Sequence, residues 1–179
     1  TIFPEISFYS NSKQFEDPVA LASGAFKELE GVKILIKRKN IKSMMAARSK
    51  ANFLFKRKKN REYVIVISND QKMNAKVLYQ NMSTCAQVGV IGHELSHIVS
   101  YTKLSSLEML WFGIKYVFKK KEIEAETDMM AIRKGFGEQI IEFNHYLHNS
   151  PRTNKKYLLK KKKYYLSSVE IEQKIHERL

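Results

Sequence analysis

The sequence predicts an α+β fold, a small antiparallel sheet packed on helices, and three observations carry that expectation. The stretch "VKILIK" (32–37) alternates apolar and basic residues, as a half-exposed strand does. The stretch "REYVIVISND" (61–70) carries a run of β-branched and aromatic residues bounded by turn formers. From Thr84 onward the apolar residues recur at helical spacing through four successive segments. With 179 residues and a hydrophobic fraction of 44%, the chain is long enough to bury a core as one domain.

The elements follow in order. "DPVALASGAFKELEG" opens with Asp17 as an N-cap and Pro18 at the first helical position, and Gly31 closes it. The strand at 32–37 comes next. "ANFLFKRKKNREYVIVISND" reads as a hairpin: a first strand, a basic turn near Lys58 to Asn60, then a strand from Tyr63 to Ile67. Helices are expected at about Thr84 to Tyr101, Leu104 to Phe118, Glu122 to Lys134 and Glu138 to His148. "SPRTNK" (150–155) breaks the pattern, so the chain reads as one domain, 1–179, with a basic C-terminal extension from about 151. In that extension Ser167 or Ser168 can cap a short amphipathic helix.

The charge balance is unusual: 32 Lys and Arg against 18 Asp and Glu leave a formal +14. Such an excess attracts anionic partners, whether nucleic acid, lipid headgroups or acidic proteins. The single cysteine, Cys85, excludes an intramolecular disulfide. Residue 1 is Thr, as in a processed or trimmed chain, so the lack of a leader carries no weight about compartment.

Within "VGVIGHELSHIVSY" (88–101) an otherwise apolar helix carries His93, Glu94 and His97. Histidines at i and i+4 leave a helix on one face and can meet one metal ion. Glu94 lies about 100° around the helix from His93, where it can reach a water at the metal without ligating it. This is H-E-x-x-H, a zinc-hydrolase pattern in which the glutamate is the general base. Two histidines leave a catalytic zinc site one ligand short. A downstream H-x-x-G-x-x-H solution fails, because Ser100 and Lys103 stand where Gly and His would be needed. A carboxylate on a second helix is the other solution. In "KKKEIEAETDMMAIRKG" Glu124 and Asp128 share a face at i, i+4. Glu124 could bind zinc while Asp128 fixes the tautomer of a zinc histidine.

"HELSH" followed by "EAETD" resembles the gluzincin zinc metallopeptidases, whose pattern is HExxH and then ExxxD on another helix. The neighbourhood looks most like the HtpX-type and CAAX-endopeptidase branch and the single-domain minigluzincins. The resemblance covers roughly residues 50 to 150. It implies Zn2+ held by His93, His97 and Glu124, with Glu94 catalytic, Asp128 in support, and a peptide or protein substrate. It implies too that the edge strand of a preceding hairpin binds extended substrate, and "REYVIVISND" stands where that strand belongs. Glu122 and Glu126 compete with Glu124, but only Glu124 has an aspartate four residues on. Gluzincins also supply a downstream His, Tyr or Arg that stabilises the oxyanion, for which His145, His148 and Arg152 are candidates.

Two segments bear on partners. Between Leu104 and Phe118 ten of fifteen residues are large and apolar. Fifteen helical residues span roughly 22 Å, short of a ~30 Å hydrocarbon core, and Glu108 and Lys115 also argue against spanning. Burial beneath the histidine helix, with Trp111 and Phe112 as core, is the reading adopted. An interfacial helix on an anionic membrane surface, flanked by Lys119, Lys120 and Lys121, is the alternative. The tail "KKYLLKKKKYYL" mixes lysines with Tyr157, Tyr164 and Tyr165, a combination that can bind single-stranded nucleic acid. No nucleic-acid fold pattern accompanies it, so a solvated charged face is the expectation. Beside the zinc endopeptidase stand an ImmA/IrrE-like regulatory protease and a non-catalytic basic binding module. In the regulatory family Asn rather than Asp usually follows the glutamate. The combined pattern favours a membrane-associated or exported protein over a cytoplasmic one.

Overall fold

The computed structural model describes residues 7–9, 16–41, 43–68, 79–151 and 153–177. The elements are β1 (Ser7–Tyr9), α1 (Glu16–Ser23), β2 (Lys33–Lys39), β3 (Met45–Ser49) and β4 (Glu62–Ser68). After them come α2 (Thr84–Lys103), α3 (Ser106–Phe118), α4 (Lys120–Arg133), α5 (Gly137–Asn149), α6 (Lys155–Tyr164) and α7 (Ser168–His176). The class is α+β, as expected.

The sheet differs from the expectation in three ways. Its order is β1-β2-β4-β3, and it is mixed rather than antiparallel: β2 pairs β4 in parallel, and only β3 and β4 run antiparallel. The chain passes from β2 to the far edge as β3, then returns to insert β4 between them. Insertion suits β4, because Tyr63, Ile65, Val66 and Ile67 are all buried and a doubly flanked strand needs such a run. β4 is therefore not the edge strand that its sequence suggested; β3 is. The first hairpin strand is also displaced, since residues 51–55 form a 3-10 turn with Leu54 and Phe55 exposed. Three consecutive large apolar residues, Phe53, Leu54 and Phe55, have no alternation for a pleat to use. β2 behaves as read, with Ile34 and Ile36 inward and Lys33 and Lys37 outward.

α2 is the central helix and packs on α1, β3, α4 and α5. From Ala86 to Val99 every residue is buried, which explains a sequence apolar on all sides. Ser83 caps it by accepting the Ala86 N–H at 3.2 Å, a bond worth about 1 kcal/mol. Two glycines let α5 and its lead-in approach. A Cβ on Gly89 would lie 2.4 Å from the Gln139 backbone, and one on Gly92 would lie 2.8 Å from the Phe136 ring. α4 ends at Gly135, whose φ of +92° suits a left-handed helix stop.

The basic extension is not an appendage to this body. α6 packs on α4, and α7 packs on both α4 and α5. Tyr157 and Ile171 belong to the main core, and Ser167 caps α7 in a reciprocal box with Glu170.

Candidate metal centre

α2 and α4 cross so that His93, His97 and Glu124 meet. One nitrogen or oxygen from each lies within 4.8 Å of the others. Glu124 Oε2 is 3.3 Å from His93 Nε2 and 3.3 Å from His97 Nε2. Glu124 is only 1% exposed, yet this oxygen has no hydrogen-bond partner. Its other oxygen is well supplied, accepting from the Tyr116 hydroxyl and from the Tyr165 hydroxyl at 3.1 Å.

Each imidazole is anchored through its far nitrogen. His93 Nδ1 donates to Asp128 Oδ1 at 2.8 Å, and Asp128 Oδ2 accepts the Leu166 N–H at 3.0 Å. Thr127 Oγ1 gives its one proton to the Ile123 carbonyl at 2.8 Å, so it accepts from His97 Nδ1 at 3.2 Å. Both histidines thus turn Nε2 toward Glu124. A buried carboxylate oxygen facing two imidazole nitrogens needs a positive charge beside it, either a proton on an imidazole or a metal cation. Two neutral imidazoles and one carboxylate are a catalytic zinc donor set, and the residues present fit that ion.

In the ion-free cluster a proton on His93 supplies that charge. Burial opposes charge on His93, but the carboxylates of Asp128, Glu124 and Glu94 outweigh it and push its pKa up to about 10. Burial likewise opposes charge on Glu124, yet the two histidines hold its carboxyl far below the usual range. Burial and the Glu124 charge raise the Tyr116 and Tyr165 phenols, so both remain proton donors.

Glu94 lies beside the cluster but outside it. Its Oε2 accepts the Ala47 N–H of β3 at 2.5 Å, and the Tyr101 hydroxyl donates to the Ala47 carbonyl at 3.5 Å. Ala47 pairs with Ile65 at a position where the β3 backbone turns away from β4. The outward-facing edge at Met45, Ala47 and Ser49 therefore runs along a cleft of about 620 Å³ that contains all three ligand candidates. Phe53, Met109, Leu110, Phe112 and Tyr116 form its apolar wall, and Arg48, Lys120 and Lys161 supply cations. Lys161 lies 3.4 Å from the Tyr165 ring centroid.

The structure separates the three competing glutamates. Glu126 is exposed, Glu122 is exposed and paired with Lys119, and Glu124 alone faces the histidines. The oxyanion candidates fare differently. His145 and His148 sit on the exposed side of α5 and do not line the cleft, because inward positions there go to Phe143, Asn144 and Leu147. Arg152 lies outside the described residues. The groups that do reach the site were missed in the sequence. Thr127 was visible in principle, one residue before Asp128 on the same face. Tyr116 lies on α3, across the break that separates it from Glu124 on α4, and Tyr165 comes from the α6–α7 link, which no local pattern ties to the cluster. Comparison of the chain with known protein families, curated proteins and solved structures finds no match in any of the three.

Proposed function

We propose that this protein is a zinc-dependent endopeptidase of gluzincin type. One observation carries the reading: the buried, unpartnered Glu124 Oε2, 3.3 Å from both His Nε2 atoms, with Glu94 beside it against an edge strand. His93, His97 and Glu124 would hold the ion. When bound, zinc supplies Lewis acidity that lowers the pKa of a water and polarises a carbonyl.

The remaining steps belong to the chain. An extended peptide adds to the outward edge of β3, where main-chain groups at Met45 and Ser49 face the cleft. Glu94 takes a proton from the attacking water and returns it to the leaving amide nitrogen as the C–N bond breaks. The Ala47 N–H keeps its carboxylate next to the strand that carries the substrate. Asp128 and Thr127 hold the imidazole tautomers, and Tyr116 and Tyr165 hold Glu124 so that one oxygen is left for the metal.

The regulatory-protease reading is disfavoured by Asp128, whose carboxylate spans from His93 to the Leu166 N–H. The basic-module reading loses two of its three tyrosines: Tyr157 is buried and Tyr165 is bound to Glu124, so neither can stack on a base. A panel of quenched fluorescent peptides, with zinc-loaded wild type and Glu94→Gln, tests the proposal. Cleavage by wild type alone supports it. Equal cleavage by both, or none by either at full zinc occupancy, refutes it.

A further inference from the structure

The sequence left α3 between two readings, and burial does not describe it. Its apolar residues divide into two opposite faces. Met109, Phe112 and Tyr116 point inward, where they line the cleft and pack on the core. Leu107, Leu110, Trp111, Ile114, Val117 and Phe118 are exposed, with Trp111 at 67% and Phe118 at 82%; Leu110, at the edge of this face, also reaches the rim of the cleft. Their spacing is i, i+3, i+4, i+7, i+10, i+11, an unbroken stripe covering about 120° of the helix. Elsewhere among the described residues the exposed large apolar side chains are the pair Leu54 and Phe55 and the single Leu21, Leu159 and Val169. Trp111 and Phe112 are therefore not both core: Phe112 is half-buried, and Trp111 faces outward.

The charges around the stripe are mostly basic, although Glu122 just beyond α3 pairs with Lys119. From Lys103 to Lys121 the only carboxylate is Glu108. That group is spent on the Ser105 N–H in the capping box that starts α3. Lys103 and Lys115 are exposed at the start and on the flank, and Lys121 and the Glu122-paired Lys119 at the far end. The exposed Lys58 donates to the Lys103 carbonyl, which sets the basic turn carrying Arg57 and Lys59 beside the start of α3. No helix among the described residues is long and apolar enough to cross a membrane.

We propose that α3 docks the protein on an anionic lipid surface, its outer stripe in the acyl boundary and its lysines among the headgroups. A lipid surface is favoured as occupant because the stripe carries tryptophan and phenylalanine and is fringed by lysines in a chain of net charge +14. Docking does not depend on zinc. Where the zinc reading also holds, the opposite face of α3 forms a wall of the cleft, so docking brings the cleft to polypeptides lying at the membrane surface.

Trp111 is the one tryptophan, so it reports its own environment. The full chain is mixed with vesicles of equal parts phosphatidylglycerol and phosphatidylcholine, and with pure phosphatidylcholine. With the anionic vesicles the Trp111 emission shifts to the blue and is quenched by brominated acyl chains, and the protein sediments with lipid. With pure phosphatidylcholine binding is at least about tenfold weaker, from loss of lysine attraction. The triple variant Leu107→Ser, Ile114→Ser, Val117→Ser keeps its circular dichroism and loses at least about tenfold in partitioning. Glu94→Gln binds vesicles like wild type, which separates docking from catalysis. Sedimentation without a change at Trp111 would place binding elsewhere and overturn the proposal. So would failure to bind anionic vesicles, or a dimer in the ultracentrifuge that the triple variant abolishes.

Discussion

α3 and α4 are neighbours in the chain, and each inverts the ordinary rule of polarity. α4 turns charge inward: Glu124, Thr127, Asp128 and Ala131, at i, i+3, i+4 and i+7, form its buried face. α3 turns hydrocarbon outward, with six large apolar side chains in solvent. Buried carboxylates persist only where donors or cations compensate them, and Asp128 has two donors while Glu124 keeps one oxygen free. Exposed apolar stripes persist where something covers them. Both departures mark places where folding alone would have chosen other residues.

The contrast yields predictions, starting with the largest effect. Glu94→Gln keeps its zinc but lowers peptide turnover by roughly 10²–10⁴-fold, measured as kcat at full metal occupancy. Loss of metal in that variant would make Glu94 a ligand and break the division of labour within α2. Asp128→Asn and Thr127→Val each weaken zinc by about 10–100-fold against a chromophoric chelator, because each frees an imidazole to turn. Affinity unchanged in both would mean that the α4 face is structural only.

The pH dependence of the ion-free chain sharpens the inward half. Free histidine titrates near 6.5, and folded His93 is pushed up to about 10. Between those values the folded chain holds a proton that the unfolded chain has lost. Its stability is therefore fully present below about pH 6.5 and is lost as pH rises toward 10. Thermal melts of metal-free protein at pH 7, 8 and 9 should show a falling Tm. Because neutral imidazole binds zinc, calorimetry at pH 7.5 in buffers of different ionisation enthalpy should show a proton released on binding. A flat Tm and no proton release would contradict the assigned electrostatics.

The smallest effect belongs to the outer half. Ile114 and Val117 are both more than half exposed, so Ile114→Ser and Val117→Ser should each shift unfolding free energy by no more than about 0.5 kcal/mol. Gly89→Ala, which drives a methyl group into the Gln139 backbone, should cost about 1–3 kcal/mol in the same denaturant titration. A larger cost for the α3 variants than for Gly89→Ala would mean that the stripe is core after all.

What the sequence made legible follows from how local each signal is. The histidine pair and the Glu124–Asp128 pair are spaced by helical geometry within one element, so their faces could be read directly. α2, α3, α4 and α5 emerged at nearly their observed bounds for the same reason, and the start of α7 was marked by its capping serine. β3 did not, because "MAARS" carries helix formers and its strand state depends on β4 beside it. The place of β4 between two strands was equally hidden, since pairing order is not a local property. α6 was hidden by its lysines, which mask a short helix held by the buried Tyr157. Tyr165 is the sharpest case, because its contact with Glu124 bridges 41 positions and arises only once α6 folds back.

The most direct test is zinc stoichiometry by native mass spectrometry, on wild type, His93→Ala/His97→Ala and Glu124→Ala. One zinc per wild-type chain, none in the double variant and a loss well beyond 100-fold in affinity for Glu124→Ala is the predicted result. Stoichiometric zinc retained without the two histidines, or no zinc bound by wild type, would contradict it.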